Sequence, residues 1–192
     1  MILRRALLAA SAGLPLAAAR GETEGVWRAL RAGGHVALMR HALAPGTYDP
    51  PGFKLDDCAT QRNLSAEGRT QASRAGDLFH RNGIAAARVF ASQWCRCLET
   101  ATLLALGDVT QQALLNFHQG SRTGPGSASD PARVEALRAW LSRLDLVQPH
   151  VLITHGAVIA AQFGAYADSG EIIVARRSGD GALTVAGRVP TA

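Results

Sequence analysis

Gly33-Gly34-His35-Val36-Ala37-Leu38-Met39-Arg40-His41 is the stretch that decides the fold. Two glycines break the segment before it, and a short apolar run then leads straight into two basic side chains. An apolar run this short, without alternation, reads as a strand buried on both faces, the habit of parallel sheets. Val151-Leu152-Ile153 repeats the pattern and leads into Thr154-His155-Gly156. Between the two, Arg88 to Ala91 and Val109 to Leu115 read as further strands. Helical spacing appears after Ser65 (Ala72, Ala75, Leu78, Phe79, ending near Gly83) and from Cys97 to Leu106, with Gly107 as a stop. Asp130-Pro131 opens another helix, with Val134, Leu137, Leu141 and Leu144 on one stripe, and a last helix begins near Ala157. Glu171 to Ala175 and Ala182 to Val185, around Ser178-Gly179-Asp180-Gly181, read as a terminal hairpin. Strands alternating with helices predict an α/β fold: a three-layer sandwich, mostly parallel in its central sheet, with helices on both faces and a small C-terminal hairpin. Two segments resist this pattern. Residues 42 to 62 form a loop too long for a plain connector and are expected to be functional. Residues 118 to 129 are a Gly/Ser/Pro loop.

At 192 residues the chain suits one domain with a substantial core. Hydrophobic residues are 47% and charged residues 18%, a globular composition. The net charge is +5, carried almost wholly by arginine, with Lys54 the only lysine. Those arginines form no dense stripe, and aromatics are only 5%, so a nucleic-acid partner is not expected. Met1 to Ala19 reads as a secretory signal: Arg4-Arg5, an apolar run from Ala6 to Leu16, then Ala17-Ala18-Ala19 as a small-residue cleavage site. Arg4-Arg5 also fits a twin-arginine signal loosely. The alternative is an N-terminal amphipathic helix packed on the domain. Export is the expectation, to the periplasm or beyond, with residues 20–192 as a single domain that keeps no stable membrane insertion. Cys58, Cys95 and Cys97 lack the paired spacing of a zinc site, and no metal or cofactor is expected. In an oxidising compartment Cys58 would pair with Cys95 or with Cys97, leaving one thiol over; three buried free thiols are the other possibility.

In open α/β sheets, ligands bind beyond the carboxyl ends of the strands. Arg40 and His41 end the first strand, Arg96 follows the second, and His155 ends the Val151 strand just before a helix start. If these strands are parallel, two imidazoles and two guanidinium groups meet in one pocket. Guanidinium groups and helix N-termini suit phosphate oxygens, and a neutral imidazole can attack phosphorus. His35, His80 and His150 lack such surroundings and read as surface or strand residues, and Trp27, Trp94 and Trp140 as core or pocket wall.

Four segments also carry a family resemblance, in order, across residues 35 to 165. Leu38-Met39-Arg40-His41-Ala42 resembles the Arg-His-Gly signature of the histidine phosphatase superfamily, the phosphoglycerate mutase-like fold. Asn63-Leu64-Ser65-Ala66-Glu67-Gly68-Arg69-Thr70-Gln71-Ala72 resembles the helix start that follows it there. Ser92-Gln93-Trp94-Cys95-Arg96-Cys97-Leu98-Glu99-Thr100-Ala101 and Thr154-His155-Gly156 resemble the family's remaining two motifs. The likeness is to short exported bacterial members, without the large cap insertion of the mutases. It implies that His41 is a nucleophile that becomes phosphohistidine, with Arg40, Arg96, His155 and the Gly156 end of the last helix holding the phosphoryl oxygens. It implies a phosphate contact from Thr47 and a structural role for Glu99.

The sequence departs from the family at Ala42 (usually Gly), at Asn63 (commonly Asp) and, most consequentially, at the proton donor. Mutase-like members carry an acid in a segment resembling Leu115-Asn116-Phe117-His118-Gln119-Gly120, and here no carboxylate stands there; the histidine-acid branch places Asp where this chain has Gly156. Three readings stay open. The acid comes from Asp49, Asp56 or Asp57, with Asp57 preferred, although a loop-capping role is the plain alternative for each; or His118 donates; or the leaving group needs little help. The expectation is a metal-independent phosphatase, monomeric, acting on a phosphorylated small molecule, an envelope phosphosugar or protein phosphohistidine. The rival is a module that binds phosphate without turning it over.

Overall fold

The computed structural model describes residues 15–117 and 127–191. Helix α1 (Pro15–Ala32) leads into β1 (His35–Arg40), and α2 (Ala66–Arg81) into β2 (Arg88–Ala91). Then come α3 (Cys95–Leu103), β3 (Val109–Gln111), α4 (Pro131–Ser142), β4 (His150–Thr154) and α5 (Gly156–Phe163), before β5 (Ile172–Arg177) and β6 (Leu183–Val189) close the chain. The six strands make one mixed sheet in the order β3-β2-β4-β1-β5-β6. The first four are mutually parallel, β5 pairs antiparallel with β1, and β6 pairs antiparallel with β5.

The apolar runs divide their side chains between two cores. Ala37 and Met39 of β1, with Val151 and Ile153 of β4, face Trp27, Leu30, Ala75, Phe79 and Ala101 on α1, α2 and α3. Val36, Leu38 and Leu152 face Leu137, Leu141, Val158 and Ile159 on α4 and α5. With both faces covered, alternation disappears from the sequence, which is why these strands read as continuous apolar runs. Ser65 caps α2 by accepting the Gly68 N–H at 3.0 Å, and Asp130 caps α4 by accepting from Ala132 at 3.0 Å.

The expected terminal hairpin is formed by β5 and β6, and because β5 also pairs with β1 it widens the main sheet, with strands of six and seven residues. Two element boundaries are corrected. The strand expected from Val109 to Leu115 stops at Gln111, because the Gln112 side chain accepts the Leu114 N–H at 3.1 Å and turns the chain into a 3₁₀ helix, Ala113–Leu115. Helix α3 starts at Cys95, two residues before the expected Cys97, so Arg96 sits in its first turn. Helix α1 runs across the expected cleavage point at Ala19, and its Val26, Trp27 and Leu30 are buried in the core. Most of the expected signal, and residues 118–126 of the Gly/Ser/Pro loop with His118, lie outside the described residues.

Cys58 is bonded to Cys95, and Cys97 is a buried free thiol. The bridge spans 37 positions and ties the long loop to the first turn of α3. Restricting an unfolded loop of that size is worth about 3–4 kcal/mol in the chain-entropy account. The double variant Cys58→Ser, Cys95→Ser should lose stability of that order in urea titration. The denatured native protein should titrate one thiol without reductant and three with it; three without reductant would remove the bridge.

Candidate active site

Strand register brings the site together. The His41 N–H donates to the Thr154 carbonyl at 2.9 Å and the Ser92 N–H to that of Ile153 at 2.9 Å, so the carboxyl ends of β1, β2 and β4 finish level. The residues just past those ends share one edge of the sheet. The rings of His41 and His155 lie 5.4 Å apart at 70°, and the Trp94 ring stands 5.4 Å from His155. Both histidines and Arg96 are buried.

The segment after His41 is clamped by the residues that make up the quoted motifs. Thr100 accepts the Ala42 N–H at 3.1 Å and donates to the Arg96 carbonyl at 2.7 Å, linking the end of β1 to α3. Gln71 accepts the Leu43 N–H at 3.0 Å and donates to the Ser169 carbonyl at 2.7 Å. Gly68 is needed for close approach: a Cβ there would stand 2.0 Å from the Leu43 carbonyl oxygen. Glu99 pairs with Arg69 between α3 and α2. At Gly156 a Cβ would meet Arg40 Cδ at 3.3 Å, so the Arg40 stem lies against the N-terminus of α5. Arg40 Nη1 donates to the Tyr166 hydroxyl at 2.9 Å and to the Ala167 carbonyl at 3.1 Å.

Hydrogen bonds fix both imidazole tautomers. His41 Nδ1 is 2.8 Å from the Ala42 carbonyl, a pure acceptor, so Nδ1 carries the hydrogen and Nε2 keeps its lone pair. Asn116 Oδ1 accepts the Gln93 N–H at 2.9 Å and the Ser92 hydroxyl at 3.1 Å. With its hydrogen so placed, Ser92 Oγ accepts from His155 Nε2 at 2.9 Å, which leaves Nδ1 as the unprotonated nitrogen of His155. Burial pushes the His41 pKa down to about 3, helped by the charges of Arg96, Arg62 and Arg40 against the pull of the Ala42 carbonyl. His155 is held well below its usual value by burial first, then by His41, Arg96, Arg62 and Arg40. Burial raises the Cys97 thiol to about 12, so at 3.5 Å from His155 Nε2 it is neutral.

Two site residues were not singled out for their role here. Asp49, considered only as an acid, is buried and accepts from Arg96 Nη1 at 2.8 Å, from the Arg62 N–H at 2.9 Å and from Trp94 Nε1 at 3.0 Å. Burial pushes its pKa up, but the Arg62 N–H, the Arg96 charge and the Trp94 N–H outweigh that and hold it below the usual carboxylate range. It is a fixed anion. Arg62, half-buried in the same loop, was missed altogether. A sequence signal for either was faint, since both lie in a stretch without periodicity. Asp57 is exposed and caps the 3₁₀ helix Cys58–Thr60, accepting the Ala59 N–H at 3.1 Å. Asp56 and Thr47 are exposed in the same loop. Asn116, in the segment that resembles the acid-bearing one of mutase-like members, is buried just beyond the 3₁₀ helix Ala113–Leu115. Among the described residues no group of three or more His, Cys, Asp or Glu is gathered as a metal site.

The family model for the histidine phosphatase superfamily (branch 1) matches residues 36–159, well over half of the chain. The chain belongs to the histidine phosphatase superfamily. Solved structures share the fold of this histidine phosphatase domain. A putative alpha-ribazole-5'-P phosphatase from Escherichia coli K-12 superposes with a TM-score of 0.59 at 19% identity, covering 79% of this chain and 93% of the other. Mycobacterial glucosyl-3-phosphoglycerate phosphatase gives 0.58 at 19% over 80% and 96%. The protein histidine phosphatase SixA, complexed with tungstate, gives 0.56 at 16% over 82% and 97%. No curated protein matches the sequence significantly.

The buried histidines link stability to pH. His41 has a folded pKa of about 3 against 6.5 unfolded, so between those values the unfolded chain binds more protons and stability falls as pH falls. From pH 6.5 to 4.5 His41 alone should cost about 2–3 kcal/mol, and the downward shift of His155 acts in the same direction. Urea titrations at pH 7 and 4.5 should show a smaller acid loss in His41→Gln than in the native chain. Equal losses would show that His41 is not a buried neutral group.

Proposed function

We propose that this protein is an exported, metal-independent phosphatase that works through phospho-His41 on small phosphomonoesters, phosphosugars or phosphohistidine. One observation carries the reading: His41 is buried among arginines with Nδ1–H given to the Ala42 carbonyl, which leaves a neutral Nε2 lone pair as the nucleophile. The Nε2–P bond forms as the bond from phosphorus to the leaving group breaks, and the leaving atom departs with the electron pair. Arg40, Arg96 and the N–H groups at the start of α5 hold the phosphoryl oxygens. An arriving anion favours protonation of His155 at Nδ1, so that it binds phosphate as imidazolium while its Nε2–H stays on Ser92. Water then attacks phosphorus, the P–N bond breaks, the lone pair returns to Nε2 and phosphate leaves.

The surroundings favour substrates whose leaving group needs little proton donation. Asp49 is ionised and held by three donors, Asp57 is an exposed cap, and an amide stands at position 116. Phosphohistidine and activated esters meet that condition; an alkyl phosphate meets it least. Export is supported by the Met1–Ala19 pattern and by the Cys58–Cys95 bridge, which suits an oxidising compartment.

The test is to mix the purified protein with p-nitrophenyl phosphate and to analyse it by mass spectrometry under alkaline conditions that preserve phosphohistidine. A phosphoryl adduct on His41 with steady nitrophenol release is the expected result. Phosphate binding with neither adduct nor turnover, from this donor and from a phosphohistidine donor alike, would overturn the enzyme in favour of a binding module.

A further inference from the structure

We infer that Arg62 is a third phosphate-binding arginine, completing with Arg40 and Arg96 a cradle matched to a phosphoryl dianion; this rests on the phosphatase reading of the same site.

Among the described residues four arginine Nε–H groups are buried without a hydrogen-bond partner, and three of them belong to Arg40, Arg62 and Arg96. A buried N–H without an acceptor is costly, and a charged one more so. That three such donors occur around one pair of histidines points to an anion that satisfies them. One terminal nitrogen of each of these side chains is already engaged. Arg40 Nη1 serves Tyr166 and Ala167, Arg62 Nη1 donates to the Ala44 carbonyl, and Arg96 Nη1 serves Asp49 and the Arg62 carbonyl. Each guanidinium is thus anchored at one end and holds Nε–H in reserve.

Charge points the same way. Arg62 lies close enough to Arg96 and Arg40 for each to depress its pKa, a like-charge arrangement that burial makes worse. Asp49 offsets one of the three positive charges, and the two histidines are neutral. The side chains of the pocket therefore carry a net charge of about +2 by formal count, and a phosphoryl dianion neutralises it. A monoanionic phosphodiester would leave one charge uncompensated.

The side chain of Arg62 can be tested without disturbing its backbone, whose N–H and carbonyl hold Asp49 and Arg96. Binding of inorganic phosphate at pH 8 would be measured by calorimetry for the native protein, Arg62→Gln, Arg62→Lys and the surface control Arg69→Gln, with thermal melts to show folding. Loss of one charge-assisted contact should weaken phosphate binding by about tenfold or more in Arg62→Gln. Arg62→Lys should recover part of the loss, and Arg69→Gln should bind like the native protein. A folded Arg62→Gln with native affinity would overturn the assignment, as would a native protein that fails to bind phosphate. Turnover of p-nitrophenyl phosphate is read separately. A native protein that binds phosphate through Arg62 yet never turns over supports the cradle and overturns only the enzyme.

Discussion

Replacing His41 with Ala will reduce turnover of p-nitrophenyl phosphate by about 10⁴-fold or more while leaving phosphate affinity within about tenfold. The two effects separate because different atoms carry them. Turnover needs the Nε2 lone pair, and Ala offers no nucleophile to form the covalent intermediate. In the proposed mechanism affinity rests on Arg40, Arg62, Arg96 and His155; among the described residues the hydrogen bond of the His41 side chain runs to the adjacent Ala42 carbonyl, and its ring meets His155 through an edge-on contact at 5.4 Å. The variant leaves that buried carbonyl without its donor, so a loss of about 1–3 kcal/mol in stability accompanies it, small enough to leave a folded protein for assay. His41→Gln, closer in volume, provides the check that lost rate is lost chemistry. Undiminished hydrolysis in both variants would remove His41 from the mechanism. Loss of phosphate binding together with turnover would show that the ring supports the cradle itself.

The part of this site that lies on regular elements was legible in the sequence, and the part that lies on the long loop was not. Arg40, His41, Arg96 and His155 follow strands whose apolar runs mark them, and parallel pairing puts the ends of parallel strands on one edge. The motif residues Gly68, Gln71 and Thr100 stand at fixed helical positions, and each turns out to clamp the Ala42-Leu43 backbone. Loop 42–62 carries no period, and its order comes from contacts distant in sequence. Asp49 reaches Arg96 across 47 positions, and Gln61 accepts the Cys95 N–H across 34. No local pattern encodes such pairings, so the sequence reading prefers Asp57 to Asp49 as the acid, although Asp57 is an exposed cap. Boundaries failed for a related reason. Helix α3 begins after Trp94, which offers no side-chain cap, and so gave no start signal. The end of β3 depends on a single side-chain bond from Gln112.

Asp49→Ala is expected to destabilise the protein by about 3–5 kcal/mol, a large share of the 5–15 kcal/mol typical of a domain. The Arg96–Asp49 pair is withdrawn from water on both sides, with 2% and 0% of the side chains exposed, so solvent cannot screen what is left behind. Removing the carboxylate strands the Arg96 charge and also takes away the acceptor that Asp49 gives to Trp94 Nε1–H and to the Arg62 N–H. Those groups lie beside the proposed phosphate cradle, and that gives the prediction its second half. A bound anion can supply Arg96 with part of what Asp49 supplied, so saturating phosphate should raise the melting temperature of Asp49→Ala by more than it raises that of the native protein. Chemical denaturation measures the first effect, and melting with and without phosphate the second. A variant within 1 kcal/mol of native stability would mean that Arg96 tolerates isolation and that its burial is shallower than the geometry implies. Equal stabilisation by phosphate would mean that Asp49 and the ligand answer to different donors. The expected result, a carboxylate and a phosphate sharing one arginine, assigns Asp49 the part of a positioning residue: it holds one end of Arg96 so that the other meets the substrate.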